Sequence, residues 1–139
     1  MPLKMTIPEL EQFLKAQFPQ VAEDFRILSL AENAAEVEMV ISEQNLRPGG
    51  TVSGPSMFAL ADLAFYIALL AMIGPKALAV TTNASIDFMR KPAAGQGLVG
   101  TARILKLGRV LAVGDVLICA KGQDQPVARA SMTYAIPPK

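Results

Sequence analysis

The sequence predicts an α+β fold in which a strongly curved antiparallel sheet wraps around one long central apolar helix. Three observations predict it. The run Met57 to Ile73 holds 16 apolar residues in 17, interrupted only by Asp62, and a helix apolar on every side must be covered all round. The segments that follow alternate in strand fashion between short turn clusters. The order along the chain is a short helix, two strands, the long helix, then three or four strands. At 139 residues, 52% apolar and 18% charged, the chain is expected to form one domain over 1–139, with a helical segment over 1–20 appended.

Each element has a local reason. Thr6 with Glu9 three residues later is a capping box, which places a short N-terminal helix over Ile7 to Gln17. Leu10, Phe13, Leu14 and Phe18 share one of its faces, and Pro19 ends it. "DFRILSL" and "AAEVEMVIS" read as a β-hairpin turned by "AEN". "EQNLRPGGTVSG" reads as an irregular loop. Pro55 suits the first turn of the long helix, with Ser53 or Gly54 as its cap. Gly74 and Pro75 stop that helix. From Ala79 to Arg90, Val80, Thr82, Ala84, Ile86 and Phe88 fall on one face; Thr81, Asn83, Ser85 and Asp87 fall on the other. A turn over 91–97, a strand from Leu98 to Leu107, a tight "LGR" turn and strands from Val110 to Ala120 and Val127 to Ile136 complete the chain.

Composition excludes several classes of function. A net charge of +1 with no long basic run argues against a nucleic-acid partner. The start "MPLKMTIPELEQF" has no continuous hydrophobic region, so no signal peptide and a cytoplasmic location are expected. The apolar run is short for a membrane span and carries Asp62, which favours a buried core helix and no membrane contact. The chain has no histidine, which removes Ser-His-Asp and Cys-His nucleophiles and histidine metal sites. No metal site is expected. Cys119, within "VLICA", reads as an inert buried thiol. Chemistry must come from carboxylates, hydroxyls, backbone amides and cations. Asp62 is the residue in question: an ionised carboxylate in apolar surroundings costs several kcal/mol unless compensated. It is either a partnered structural group or a reactive one.

The stretch "SGPSMFALAD" resembles the motif of the hotdog-fold acyl-CoA thioesterases, phenylacetic-acid-degradation type, over roughly residues 25 to 136. Their motif is H-G-G followed by a helix bearing L-A-D, with the aspartate nine residues after the histidine. Ser53 and Asp62 take those two places, Gly54 matches the first glycine, and Pro55 replaces the second. Leu46 or Arg47 stands near the family's asparagine. "AVTTNASIDFMRKPAAGQ" and "KLGRVLAVGDVLI" are similar to its second and third signatures.

The resemblance implies roles. Asp62 would act as nucleophile or as general base on water. The Gly54 N–H, at the positive end of the helix, would receive the oxyanion. Thr81 would orient the attacking water, although a strand threonine is ordinarily structural. Arg90, Lys91, Lys106 and Arg109 would meet the phosphates of coenzyme A, or serve as ordinary turn cations. Met57, Phe58, Phe65 and Tyr66 would line an acyl pocket or pack the core. The implied activity is hydrolysis of a small or medium acyl-CoA, aryl or aliphatic, with no cofactor beyond the CoA of the substrate. The implied assembly is a homodimer, further paired into a tetramer, with the Gly54 loop of one chain facing Asp62 and Thr81 of another. The alternative is a hotdog protein that binds acyl-CoA without cleaving it.

Overall fold

The computed structural model describes residues 2–93 and 95–138. Ala94, inside the turn expected over 91–97, lies outside the described residues, as do the two ends of the expected domain, Met1 and Lys139. In order, the elements are α1 (Ile7–Gln17), α2 (Pro19–Ala22), β1 (Phe25–Ala31), β2 (Ala34–Met39), a 3-10 turn (Glu43–Asn45), β3 (Leu46–Arg47), β4 (Thr51–Val52), α3 (Gly54–Ile73), β5 (Val80–Phe88), β6 (Leu98–Leu107), β7 (Leu111–Ala120) and β8 (Pro126–Ala135). Six strands make one antiparallel sheet in the order β1-β2-β6-β7-β8-β5, and β3 pairs with β4 separately.

The capping box at Thr6 is present in both directions. Pro19 ends α1 and also opens α2, which the sequence reading did not anticipate. The β1–β2 hairpin turns at Asn33, held at φ 61°, a left-handed conformation that asparagine tolerates. The segment expected as irregular loop contains the 3-10 turn and the small β3–β4 pair, joined through Gly49 and Gly50 at φ 98° and 77°.

The core lies between α3 and the concave face of the sheet. On β6 and β7, Leu98, Ala102, Ala112, Val116 and Ile118 alternate inward and are fully buried, as are Phe65, Ile67, Leu69 and Leu70 of α3. The helix approaches the sheet closely where side chains are absent. A Cβ at Gly114 would stand 2.7 Å from the Phe65 ring and 2.0 Å from the Arg103 carbonyl oxygen. The N-terminal segment covers part of the outer side of α3: Lys4 N–H donates to Ala71 O at 2.7 Å, and Leu10 and Leu14 are buried. The N-terminal segment thus supplies cover beyond the wrapping sheet expected from the sequence. What stays open is a stripe on the N-terminal half of α3, where Pro55, Phe58 and Ala59 are exposed and Asp62 half-buried. Among the described residues α3 is the one helix long and apolar enough to cross a membrane, and 72% of that stretch is buried inside the fold.

Candidate active site

Asp62 stands at the end of that stripe and faces a cavity of about 630 Å³. Thr81 Oγ1 donates to Asp62 Oδ1 at 2.5 Å, and Tyr134 OH donates to the same oxygen at 2.7 Å. Tyr134 OH also reaches the Asp62 carbonyl at 3.1 Å. Asp62 Oδ2 accepts no hydrogen bond among the described residues. The carboxylate therefore has one oxygen anchored by two hydroxyls and one left available. Compensation by hydroxyl donors, with partial exposure, explains how the charge is tolerated in this helix.

Tyr134 was missed by the sequence reading. Its ring lies between Phe65 and Tyr66, with centroids 5.5 and 6.0 Å away. Burial, and then the charge of Asp62, push its hydroxyl far above the usual tyrosine range, so it remains a donor. A signal for it in the sequence is faint, since one inward tyrosine on an alternating strand reads as core. Tyr66 OH donates to Ala77 O at 3.1 Å, and burial raises its pKa as well.

Thr81 reaches Asp62 because β5 is irregular. Strict alternation sets Thr81 on the face opposite Phe88. The register shifts between Thr81 and Asn83 against β8, so Thr82 is an extra residue and the parity of side chains reverses there. Thr81 and Phe88 consequently both turn toward α3. This corrects the two-face assignment expected from the sequence.

Ser53 is the N-cap of α3. Its Oγ accepts from Ser56 N–H at 3.3 Å and donates to Ser56 Oγ at 2.9 Å. Asn45, which the sequence reading passed over in favour of Leu46 and Arg47, donates through Nδ2 to Ser56 Oγ at 3.1 Å. The Ser42–Asn45 capping pattern that shapes its turn was the available signal. At the start of α3, Ser53 N–H donates to Asn45 O and Met57 N–H to Ser53 O, while Pro55 has none to offer. Among the described residues, Gly54 N–H is the one first-turn amide without a partner. It lies at the positive end of a long helix, beside a second cavity of about 340 Å³ lined also by Arg47, Phe88, Arg90 and Lys91. The Phe88 ring packs against Gly54, where a Cβ would come within 3.2 Å.

The four cations expected to meet the CoA phosphates, Arg90, Lys91, Lys106 and Arg109, lie at two ends of the sheet within one chain. Arg90 and Lys91 follow the end of β5 that pairs with the start of β8. Lys106 and Arg109 belong to the β6–β7 hairpin tip, at the other end of the sheet, where Leu111 pairs with Ala135. Eight residues of strand separate these ends, roughly 26 Å. Antiparallel pairing is the reason. Gly54 and Asp62 are likewise apart: eight helical residues amount to about 12 Å. Of the candidate acyl-pocket residues, Tyr66 lines the Asp62 cavity and Met57 the Gly54 cavity. Phe65 is fully buried against the sheet, and Phe58 is exposed and lines neither cavity.

A curved sheet around a central helix, with a carboxylate on that helix and an open amide at its start, is the frame of a hotdog-fold thioesterase. The thioesterase superfamily matches residues 49–127, more than half of the chain, and the chain belongs to that superfamily. A crystal structure from Silicibacter sp. TM1040, provisionally described as a thioesterase, superposes with a TM-score of 0.92 at 54% identity, covering 99% of this chain and 96% of that one. The acyl-coenzyme A thioesterase PaaI of Escherichia coli K12 is 34% identical over 98 residues, 70% of this chain and 67% of that protein. An Archaeoglobus fulgidus protein, provisionally named an esterase, is 38% identical over 85 residues, 61% of this chain; the match spans 53% of that relative, about half its length.

Proposed function

We propose that the protein is an acyl-CoA thioesterase that cleaves a small or medium acyl group, aryl or aliphatic, with two copies of the chain completing each site. The observation that supports it most is the asymmetric carboxylate: Asp62 Oδ1 is held by Thr81 and Tyr134, and Oδ2 is left to react. That oxygen either takes a proton from water as it attacks the thioester carbonyl or attacks the carbonyl itself. The Gly54 amide receives the negative charge that develops on the carbonyl oxygen. Since about 12 Å separates these groups on one helix, they act on one carbonyl only if Gly54 comes from a second copy. A two-fold axis that joins the Gly54 end of one protomer to the Asp62 end of the next also brings Arg47, Arg90 and Lys91 of one copy toward Arg109 of the other. That gathers cations for the CoA phosphates. The leaving thiol, with a pKa near ~8.5, needs little acid assistance. The setting we propose is cytoplasmic.

A second reading is acyl-CoA binding without hydrolysis. It is favoured by Pro55, which removes one amide, and by Ser53, whose hydroxyl is engaged in the cap. Thiol release from a panel of aryl and aliphatic acyl-CoAs decides between them. We expect release that falls by roughly 10² or more in Asp62→Asn. The melting temperature should hold, because asparagine Oδ1 still accepts from both hydroxyls. Tight binding with no thiol release by the unaltered protein would establish the second reading instead.

A further inference from the structure

The cavity beside Asp62 has a wall drawn from outside the residues that match the superfamily. The superfamily match begins at residue 49, yet Phe18 and Val21, with Gln17 and Gln20, line this cavity together with Asp62 and Tyr66. They come from the α1–α2 junction. Phe18 leaves the helix because it precedes Pro19, which disfavours the helical region for that residue. Its φ and ψ are −142° and 53°, while its N–H still donates to Leu14 O at 2.7 Å. The junction is therefore held in place by the packing of α1 and is not a free tail.

The cavity floor follows one face of α3. Ala59, Asp62, Leu63 and Tyr66 recur at helical spacing and extend about 10 Å along the axis. Among the described residues of its own chain, Asp62 is the one charged side chain lining the cavity. Apolar side chains stay uncovered around it: Leu78 is 79% and Phe18 36% exposed. A chain-like apolar group entering past Asp62 would cover them. A terminal carboxylate reaching the part of the cavity walled by Phe18, Val21 and Leu78 would find no cation among the lining residues and would be desolvated without a partner.

We infer that the α1–α2 junction, through Phe18 and Val21, is the specificity wall of the acyl site, and that the site accepts neutral apolar acyl groups and rejects those ending in a carboxylate. This rests on the thioesterase reading for where the thioester sits. Phe18→Ala lengthens the cavity and Val21→Phe shortens it, so the two variants shift acyl preference in opposite directions.

The test measures kcat/KM for hexanoyl-, decanoyl-, palmitoyl- and adipoyl-CoA, and equilibrium binding of the matching non-hydrolysable S-alkyl thioethers of CoA. Melting temperatures are taken for each variant. Phe18→Ala should raise the palmitoyl-to-hexanoyl ratio by about tenfold or more, and Val21→Phe should lower it, the scale that apolar pocket contacts reach. The unaltered protein should prefer hexanoyl- over adipoyl-CoA by roughly 10². Folded variants in which all chain lengths change in parallel, or none changes, would overturn the wall, and so would efficient adipoyl-CoA cleavage. If the unaltered protein cleaves nothing, but thioether length preference moves with Phe18 and Val21, the wall stands and the hydrolytic reading fails.

Discussion

Tyr134 and Asp62 show how two residues far apart in sequence divide one task. The tyrosine is a positioning residue: it and Thr81 anchor Oδ1 and so decide which carboxylate oxygen is free. Tyr134→Phe should lower kcat by roughly tenfold with little change in KM, the effect of removing one hydrogen bond to a charged group. In an Asp62→Asn background the same change should cost almost nothing further, because the tyrosine acts through the carboxylate. An undiminished loss in the double variant would refute that coupling. The hydroxyl also carries a pH signature. Its pKa is raised by burial, so above tyrosine's ordinary value of about 10 the folded state keeps a proton that the unfolded chain releases. The contribution is fully present below that value and is lost as pH rises past it. Urea denaturation at increasing alkaline pH should show this decline, and Tyr134→Phe should flatten it.

At the scale of elements, close approach of α3 to the sheet depends on a missing side chain. Gly114→Ala sets a Cβ against the Arg103 carbonyl and the Phe65 ring. Overpacking ordinarily costs about 1–3 kcal/mol, and a backbone oxygen cannot yield without opening the β6–β7 ladder, so the upper end is expected. Gly95→Ala, with nothing within 4 Å, is the control and should be near neutral. The start of α3 is a milder case. Ser53→Ala removes the cap and should cost about 1 kcal/mol, read from the denaturation midpoint. Both elements were legible in the sequence, the strand from its alternation and the cap from Ser53 before Pro55. The reversal of faces in β5 was not, because a bulge leaves residue types unchanged and alters only their pairing.

For the whole molecule, a single chain leaves reactive groups and apolar surface unmatched. β5 is an edge strand with Val80 and Phe88 about half exposed, and Leu111, Val113 and Leu117 of β7 are exposed. Open apolar edges of this kind invite pairing. We expect at least a dimer, with tetramers formed by further pairing, and sedimentation at low micromolar concentration checks it. A folded monomer there would remove the shared site. Hybrid assembly tests the sharing directly. Gly54→Pro withdraws the amide at the first helical position, where a missing N–H costs no helix bond. The Phe88 ring must give way there by a few tenths of an ångström, so the melting temperature of this variant is taken alongside. Asp62→Asn withdraws the proposed base. Either variant alone should be nearly inactive. Co-assembled, half of the dimers are hybrids with one of two sites intact, which restores roughly a quarter of normal activity.

The sequence by itself determined the α+β class, the apolar helix, the order of the main elements along the chain and the candidacy of Asp62, Gly54, Ser53 and Thr81. The class, the helix and the singling-out of Asp62 follow from local rules: periodicity, capping and the rarity of a carboxylate among apolar neighbours. The candidacy of Gly54, Ser53 and Thr81 follows from the resemblance to the thioesterase signatures. Tertiary structure alone decided that Tyr134 shares Asp62 with Thr81 and that Phe18 borders the cavity. It also parted Arg90 and Lys91 from Lys106 and Arg109. Those outcomes depend on register, on a bulge and on antiparallel direction. The Tyr134–Asp62 bond spans 72 positions and the approach of Phe18 to the Asp62 cavity spans 44, beyond the reach of a local pattern.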